Sequence, residues 1–486
     1  MDKHVIIIGS GLGGLACGHL LAKAGFRVTV LEKNAQTGGC LQTFVRKGVK
    51  FETGMHYIGS MDEGQPLHRL FDGLGLLPRI QLQALDRDAY DIISIGGERY
   101  AFANGQEACI DSLARQFPAE RGALQQYWAT VNEVAAASPL ASFLETGAFS
   151  PVQQEHIHRS ASAFIEQTTA NTRLRQVLAG NTPLYGGVRG KSTLYIHALI
   201  RDFYTRSAYR IVGGSDIIAH TLIRSIRQAG GEVRPLAQAM RINCNEREAR
   251  SVTLHTGEVL EGSHFISAIH PARTLELLDT PLIRRAYRER ITGLRNTVSN
   301  FTVYIRFKDN RTPYLNANFF HFNTDVWEAG ECSAAGWPQQ FLYMHLCSSP
   351  AQQFATAAVL MANMDFSEVA RWKGTAAGRR GEAYEAFKQE KATLLLDSLE
   401  KQFPGTRANI EAYYTSSPLT YLDYTGTEEG STYGLLHDSS NPLATKLSHR
   451  TKIPNLLLTG QNIHSHGILG VLAGAFITAN ELKVES

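Results

Sequence analysis

The chain has 486 residues, 43% of them hydrophobic, enough to bury a large core and, at about 100–200 residues per domain, to form two or three domains. Its 48 basic and 45 acidic residues leave a formal charge of +3 with no long Lys/Arg run, which sets aside nucleic acid as a partner. Six cysteines (Cys17, Cys40, Cys109, Cys244, Cys332, Cys347) lie scattered without a CxxC pair, against a zinc site or a disulfide framework and in keeping with a reducing cytoplasm.

Val5–Ile8 is an apolar run of four residues, too short for the core of a signal peptide and β-branched enough to read as a buried parallel strand. Gly9-Ser10-Gly11-Leu12-Gly13-Gly14 follows at once. Leu12 to Ala24 then carries apolar residues at helical spacing and ends on Gly25 as a C-cap, and Arg27 to Leu31 is a second β-branched run. GxGxxG between a strand and a helix is the dinucleotide fingerprint of a Rossmann-type unit. Gly9 permits the tight turn, Gly11 lets backbone approach a pyrophosphate at the positive end of the helix, and Gly14 allows the helix to pack on the strand. Glu32 ends the second strand, placed to accept hydrogen bonds from a ribose 2′-hydroxyl and to repel a 2′-phosphate. Gly38-Gly39, Thr43 and Phe51-Glu52-Thr53-Gly54 downstream, with a Gly-rich segment far along the chain, favour FAD over NAD, since a nicotinamide dehydrogenase has no need of them.

From about Ser60 to Asp202 helix formers and aromatics (Phe117, Tyr127, Trp128, Phe143) suggest a largely helical insertion. Within it, Gly186 to Ser192 has the look of a P-loop but fails on spacing, because Tyr185 stands where the first glycine is required. Ile211-Val-Gly-Gly-Ser215, a helical stretch to Ala229 and short β segments through Ala268 read as a return to the first domain. Asn300 to Phe307, Gln340 to Leu346 and Val359 to Met361 read as strands of a second domain, with a helix near Glu382 to Gln402. From Ile453 come a strand over Leu456–Thr459, a Gly-rich turn and a last helix. No run of about 18 uncharged apolar residues predicts a spanning helix, although such a chain can still lie on a membrane surface. The expected architecture is α/β: a discontinuous FAD-binding domain over residues 1–60, 206–285 and 446–486, and a mixed sheet-and-helix substrate domain over 61–205 and 286–445.

Gly9-x-Gly11-x-x-Gly14, Glu32-Lys33, Gly38-Gly39, Phe51-Glu-Thr-Gly-Met-His-Tyr-Ile-Gly59, Gly213-Gly214-Ser215 and Gly460-Gln-Asn-Ile-His-Ser-His-Gly467-Ile-Leu-Gly470 together resemble the phytoene desaturase-type flavoproteins over nearly the whole length. The stretches at His56-Tyr57, Ser417–Thr420, Tyr424–Gly426 and Gly430–Gly434 are most similar to retinol saturases and carotenoid cis-trans isomerases. The resemblance implies an apolar tunnel for a hydrophobic isoprenoid and chemistry at its C=C bonds. It also implies backbone contact with the cofactor at Met240, and cofactor contacts at Lys33, Cys40, Thr43, Gly460, Gly467, Ile468 and Gly470. Two positions depart from the family: Cys40 stands where Arg often follows the glycine pair, and Glu52 where Asp is usual.

In a flavoenzyme of this kind the protein holds the flavin, orients a double bond and excludes water. Gly467 to Gly470 precede the last helix, whose amides can face the flavin and stabilise the charge of its reduced form. Saturating a double bond also requires a positioned acid; among His56, Tyr57, His464, His466 and Asp423, His56 and Tyr57 are favoured because they follow Gly54. Tyr413, Tyr414, Tyr421 and Tyr424 are candidates for the tunnel lining. The expected activity is that of a retinol 13,14-reductase, with desaturation or isomerisation by nearly the same sequence as alternatives. No second GxGxxG is visible, so electrons come from or go to an outside partner. An amine oxidase shares the glycine pattern, but Ile463-His464 stands in place of an aromatic pair. A flavin-free prenyl-binding escort protein usually lacks the fingerprint.

Overall fold

A computed structural model describes residues 3–138, 152, 156–332 and 334–484; Phe143 of the helical region lies outside them. The cofactor-type sheet has five strands in the order Glu232–Arg234, Arg27–Leu31, His4–Ile8, His264–Ser267, Leu456–Leu458, all parallel. Parallel strands need long crossovers, which is how excursions between Leu31 and Glu232, and between Ser267 and Leu456, can leave the sheet and return. Val5, Ile6 and Ile7 are fully buried, as in a sheet covered on both faces. The Leu12–Lys23 helix packs between Asp216–Gln228 and Gly467–Val484. Its Cys17 thiol donates to the Ala475 carbonyl (3.5 Å), joining the first helix to the last.

The excursions build a seven-stranded sheet: Ile410–Ser416, Ser299–Phe307, Ala357–Met364, Gln340–His345, Asn318–Phe322, Asp91–Ile95, Glu98–Phe102. Neighbours are antiparallel except Asn318–Phe322 with Asp91–Ile95, which run parallel in the register Asn318 opposite Asp91. Alternation sorts its two faces. Phe301, Val303 and Ile305 pack with Leu395, Leu396 and Leu399 of the Glu382–Gln402 helix. Tyr304, Leu342, Met344 and Met361 face the opposite core, with Trp128, Leu194 and Ile196 of the helical region.

The α/β class with a discontinuous cofactor-type sheet is what the sequence suggests, and several details differ. The helical region contributes the hairpin Asp91–Ile95/Glu98–Phe102, turned by Gly96 and Gly97 at φ of 61° and 85°. Two glycines between β-branched and aromatic runs are a hairpin signal, overlooked among helix formers. The strand expected over Val359–Met361 runs Ala357–Met364 and is buried throughout, its ends hidden in the sequence by alanines of low β-propensity. The last helix begins at Gly467, so Gly467 to Gly470 are its first turn and not a preceding loop. That helix has the length and average apolarity of a membrane span, but it carries Glu481 and Lys483 and is mostly buried, and its packing on the first helix accounts for its apolar surface.

Candidate functional site

A cavity of about 580 Å³ begins at the glycine loop and ends between the two sheets. The loop is held by Gly9, at φ +100°, whose N–H donates to the Leu31 carbonyl (2.8 Å). A Cβ on Gly11 would meet no atom within 4 Å, so the backbone there borders open cavity that a side chain would fill. Gly13 lies against Gly460, with a Cβ 3.1 Å from its Cα, and Gly39, at φ +56°, lies against Gly11. Gly9, Gly11, Gly13, Gly38, Gly39, Cys40, Gly460, Gly467 and Ile468 all border the cavity. Gly14 and Gly470 do not: they are packing glycines, where a Cβ would come 2.1 Å from the Gly9 carbonyl oxygen and 2.6 Å from that of Ser465.

Glu32 lines the cavity and is already organised by three donors. Ser10 Oγ (2.6 Å) and Ser10 N (3.2 Å) donate to Oε2, and Asn34 N (2.9 Å) to Oε1. Two carboxylate oxygens offer about four lone-pair sites, so one remains for a ribose hydroxyl. Lys33 borders the cavity with its Nζ donating to the Asp423 carbonyl (2.7 Å). Thr43 and Met240 lie outside the lining. Thr43 Oγ1 donates to Asp216 (3.2 Å), and Met240 is 52% exposed at an irregularity of its strand, where the pairing skips from Ala239 to Arg241, while the neighbouring Ala239 faces the cavity. Cys40 brings no cation, leaving the first-turn amides of the Leu12–Lys23 helix to favour an anion.

At the other end Leu184, Ile200, Leu342, Met344, Met361 and Tyr421 make an apolar wall, with Tyr204 and Tyr433 beside them. Tyr424 borders the cavity, while Tyr413 and Tyr414 do not; Tyr413 accepts from Gln389 (2.6 Å) and Tyr414 packs on Phe51. His56 and Tyr57 line the cavity together. His56 is buried, its Nδ1 3.8 Å from a Glu52 carboxylate oxygen, and neither ring nitrogen has a hydrogen-bond partner among the described residues. Tyr57 stacks on Tyr204 at 4.3 Å, and its hydroxyl reaches Asp91 Oδ2 at 3.5 Å. Burial, with Asp91 adding to it, holds the Tyr57 phenol well above its usual range.

Of the other acid candidates, His466 lines the cavity, its pKa pushed down to about 3 by burial. His464 packs against Gly474, and Asp423 pairs with Arg380 outside the lining. Sequence reasoning missed Tyr204, Asp91, Asn318 and Arg210, which no motif marks. Tyr433 and Asn462 stand inside stretches already singled out. Asn462 Oδ1 accepts from Leu435 N (2.9 Å) and fills the space beside Gly434, pinning the Tyr433 turn to the cavity loop.

These residues fit FAD: an open cradle at Gly11 for a pyrophosphate, a carboxylate with one free acceptor site for a ribose, and a second helix starting at the cavity wall at Gly467. The chain matches the family described as flavin containing amine oxidoreductase over residues 12–363. It is 30% identical to the all-trans-retinol 13,14-reductase of Rattus norvegicus, over 98% of this chain and 85% of that protein. A 4,4′-diapophytoene desaturase of Methylomonas sp is 24% identical over 62% of this chain and 61% of that one. An oxidoreductase of known structure from Methanosarcina mazei superposes with a TM-score of 0.68 over 99% of this chain and 100% of that chain at 13% identity, a likeness of fold.

Proposed function

The chain belongs to the flavin containing amine oxidoreductase family and uses FAD, and from that premise we propose that it reduces one carbon–carbon double bond of a hydrophobic polyene such as retinol. The observation that carries this reading is the cavity itself, which joins the glycine loop to an apolar wall bearing two proton-bearing side chains, His56 and Tyr57. When bound and reduced, the flavin supplies a hydride to one end of a double bond. The apolar wall from Leu184 to Tyr421 excludes water and holds a polyene by area alone. His56 or Tyr57 delivers the proton to the other carbon, a task that removal of hydrogen would not set.

Oxidation of an amine fits the same wall less well. Among the described residues the lining carboxylates are Glu32 and Glu276; Glu32 is taken by the loop and Glu276 by Arg273 (2.7 Å), so a substrate ammonium would find no counter-charge at the apolar end. A second GxGxxG is not seen in the sequence, so the reading calls for an outside electron donor. A substrate that partitions into lipid calls for action at or near a membrane surface.

The test is anaerobic incubation of the FAD-loaded, chemically reduced protein with retinol and a panel of carotenoid-like polyenes, followed by mass analysis. Reduction adds two hydrogens, desaturation by the oxidised protein removes two, and isomerisation leaves the mass unchanged. Peroxide-releasing oxidation of a primary amine with no turnover of any polyene overturns the proposal.

A further inference from the structure

Tyr57 and Asp91 form a buried pair of which only one member reaches the cavity. Tyr57 lines it; Asp91, 1% exposed, is set behind Tyr57 and borders no part of it. The placement of Asp91 is specified from three other segments: the Asn318 strand, the Arg210 strand and the loop that carries Tyr57. Asn318 Nδ2 donates to Asp91 Oδ1 (2.8 Å) from the residue directly opposite in the parallel register. Arg210 Nη2 donates to Asn318 Oδ1 (2.9 Å), and because arginine has no acceptor, the amide must turn its NH₂ toward Asp91. Arg210 Nη1 donates to the His56 carbonyl (3.2 Å), tying the network to the segment that carries Tyr57. With Oδ1 occupied, Oδ2 is the oxygen left to face the Tyr57 hydroxyl.

We propose that Asp91 is the proton reserve of the site, a positioning residue that returns a proton to Tyr57 after the Tyr57 hydroxyl has protonated the substrate carbon. The proposal rests on the reductase reading above. With the electron pair of one hydride drawn from reduced FAD, the π bond is replaced by two C–H bonds, the second using the Tyr57 proton. Tyr57 is left as a phenolate that burial makes costly, and the O–H of Asp91 breaks to restore it. The carboxylate then takes up a proton from solvent before the next turnover. Burial pushes the Asp91 carboxyl up to about 7, against the pull of Asn318, Arg201, Arg210 and Tyr57, so the group is part-protonated at neutral pH and increasingly so below it. Tyr90, Tyr204 and Tyr433, the other titratable groups facing Tyr57, are themselves buried phenols whose protons burial retains, and Cys109, which faces Asp91, is a buried thiol kept protonated in the same way.

The sign of the pH dependence follows: reserve is present below the Asp91 pKa and lost above it. Steady-state kcat of the FAD-loaded protein with polyene should fall as pH rises through about 7. In Asp91→Asn, kcat should drop by roughly 10²-fold with KM unchanged and the alkaline limb gone, while a single turnover of pre-reduced protein still yields saturated product. Tyr57→Phe combined with Asp91→Asn should be no slower than Tyr57→Phe alone, since both remove one path. Independently of turnover, the infrared C=O band of a protonated carboxyl should titrate near neutrality in substrate-free protein, shift in Tyr57→Phe and vanish in Asp91→Asn. If Asp91→Asn does not fold, the band in the natural chain and in Tyr57→Phe decides. Natural kcat and an intact alkaline limb in Asp91→Asn, an additive double variant, or a band indifferent to Tyr57→Phe overturns the proton reserve and leaves the reductase reading standing. Failure of the natural protein to add hydrogen to any polyene removes that reading and the proposal with it.

Discussion

Glu32 shows how one side chain does two jobs in the cofactor loop. Its carboxylate ties Ser10 and Asn34 together, and it lines the cavity, where we propose that its remaining acceptor site receives a ribose hydroxyl of FAD. Glu32→Ala should therefore weaken FAD by about 1.5–3 kcal/mol through the lost charge-assisted hydrogen bond, measured by flavin titration of apoprotein. Unchanged affinity would mean that the ribose is held elsewhere. Gly11→Val should leave a folded, colourless protein, because nothing but cavity lies within 4 Å of the added Cβ and the branched side chain would occupy the cradle. At the far end, His56→Ala or Tyr57→Phe should slow saturation by roughly 10²–10⁴-fold with FAD still bound, whichever of the two delivers the proton. Natural rates in both variants would place the acid elsewhere in the lining.

At the scale of elements, the same fingerprint contains a glycine of opposite character. Gly14 serves the contact between the first helix and the first strand, where a Cβ would stand 2.1 Å from the Gly9 oxygen and 3.1 Å from Ala268 Cβ. Gly14→Ala must push the Leu12–Lys23 helix off the sheet, and that helix is packed on its other side by Gly467–Val484. We expect a loss of at least about 1–3 kcal/mol in thermal or denaturant unfolding of the apoprotein, with any loss of flavin following from it. A Gly14→Ala chain of natural stability would contradict the packing assignment. The two glycines thus separate by measurement: Gly11→Val spares the fold and Gly14→Ala does not.

Across the molecule, buried imidazoles should make the protein acid-sensitive. His197 is held between the hydroxyls of Tyr127 (2.6 Å) and Tyr185 (3.0 Å), and His345 Nδ1 accepts from Leu315 N (2.9 Å) while Nε2 meets the Tyr343 hydroxyl (2.6 Å). Burial pushes both, like His466, down to about 3 from an ordinary 6.5. Between those values the unfolded chain binds more protons than the native one, so stability is full above pH 6.5 and is lost as pH falls toward 3. Each imidazole contributes at most about 1.4 kcal/mol per pH unit well below 6.5. Asp91 and Asp202 act with opposite sign, taking up their protons in the native state, but His19, His270, His321 and His437 are held down by burial as well and add to the acid sensitivity. Tm should decline on acidification from pH 7 to 5; a flat or rising Tm would show that these imidazoles are hydrated.

What the sequence by itself determined is the chemistry written in local backbone. GxGxxG between a β-branched strand and an apolar helix points to a phosphate-bearing ligand at the turn, and we propose that Glu32 at the end of the next strand takes its ribose; both are legible because these groups lie within one βαβ unit of contiguous chain. The Glu382–Gln402 helix is legible for the same reason. The hairpin at Gly96-Gly97 was equally local, and the helical composition around it obscured the signal. Tertiary structure alone decided which side chains share the cavity. Ala357 and Ala358 are strand residues only because the sheet buries them, and Met240 stands exposed at a break in strand register while its neighbour Ala239 reaches the cavity. Tyr57, Asp91, Arg210 and Asn318 belong to four elements scattered over more than half the chain and meet only when the Asp91 and Asn318 strands pair in parallel, a long-range register that no local pattern encodes.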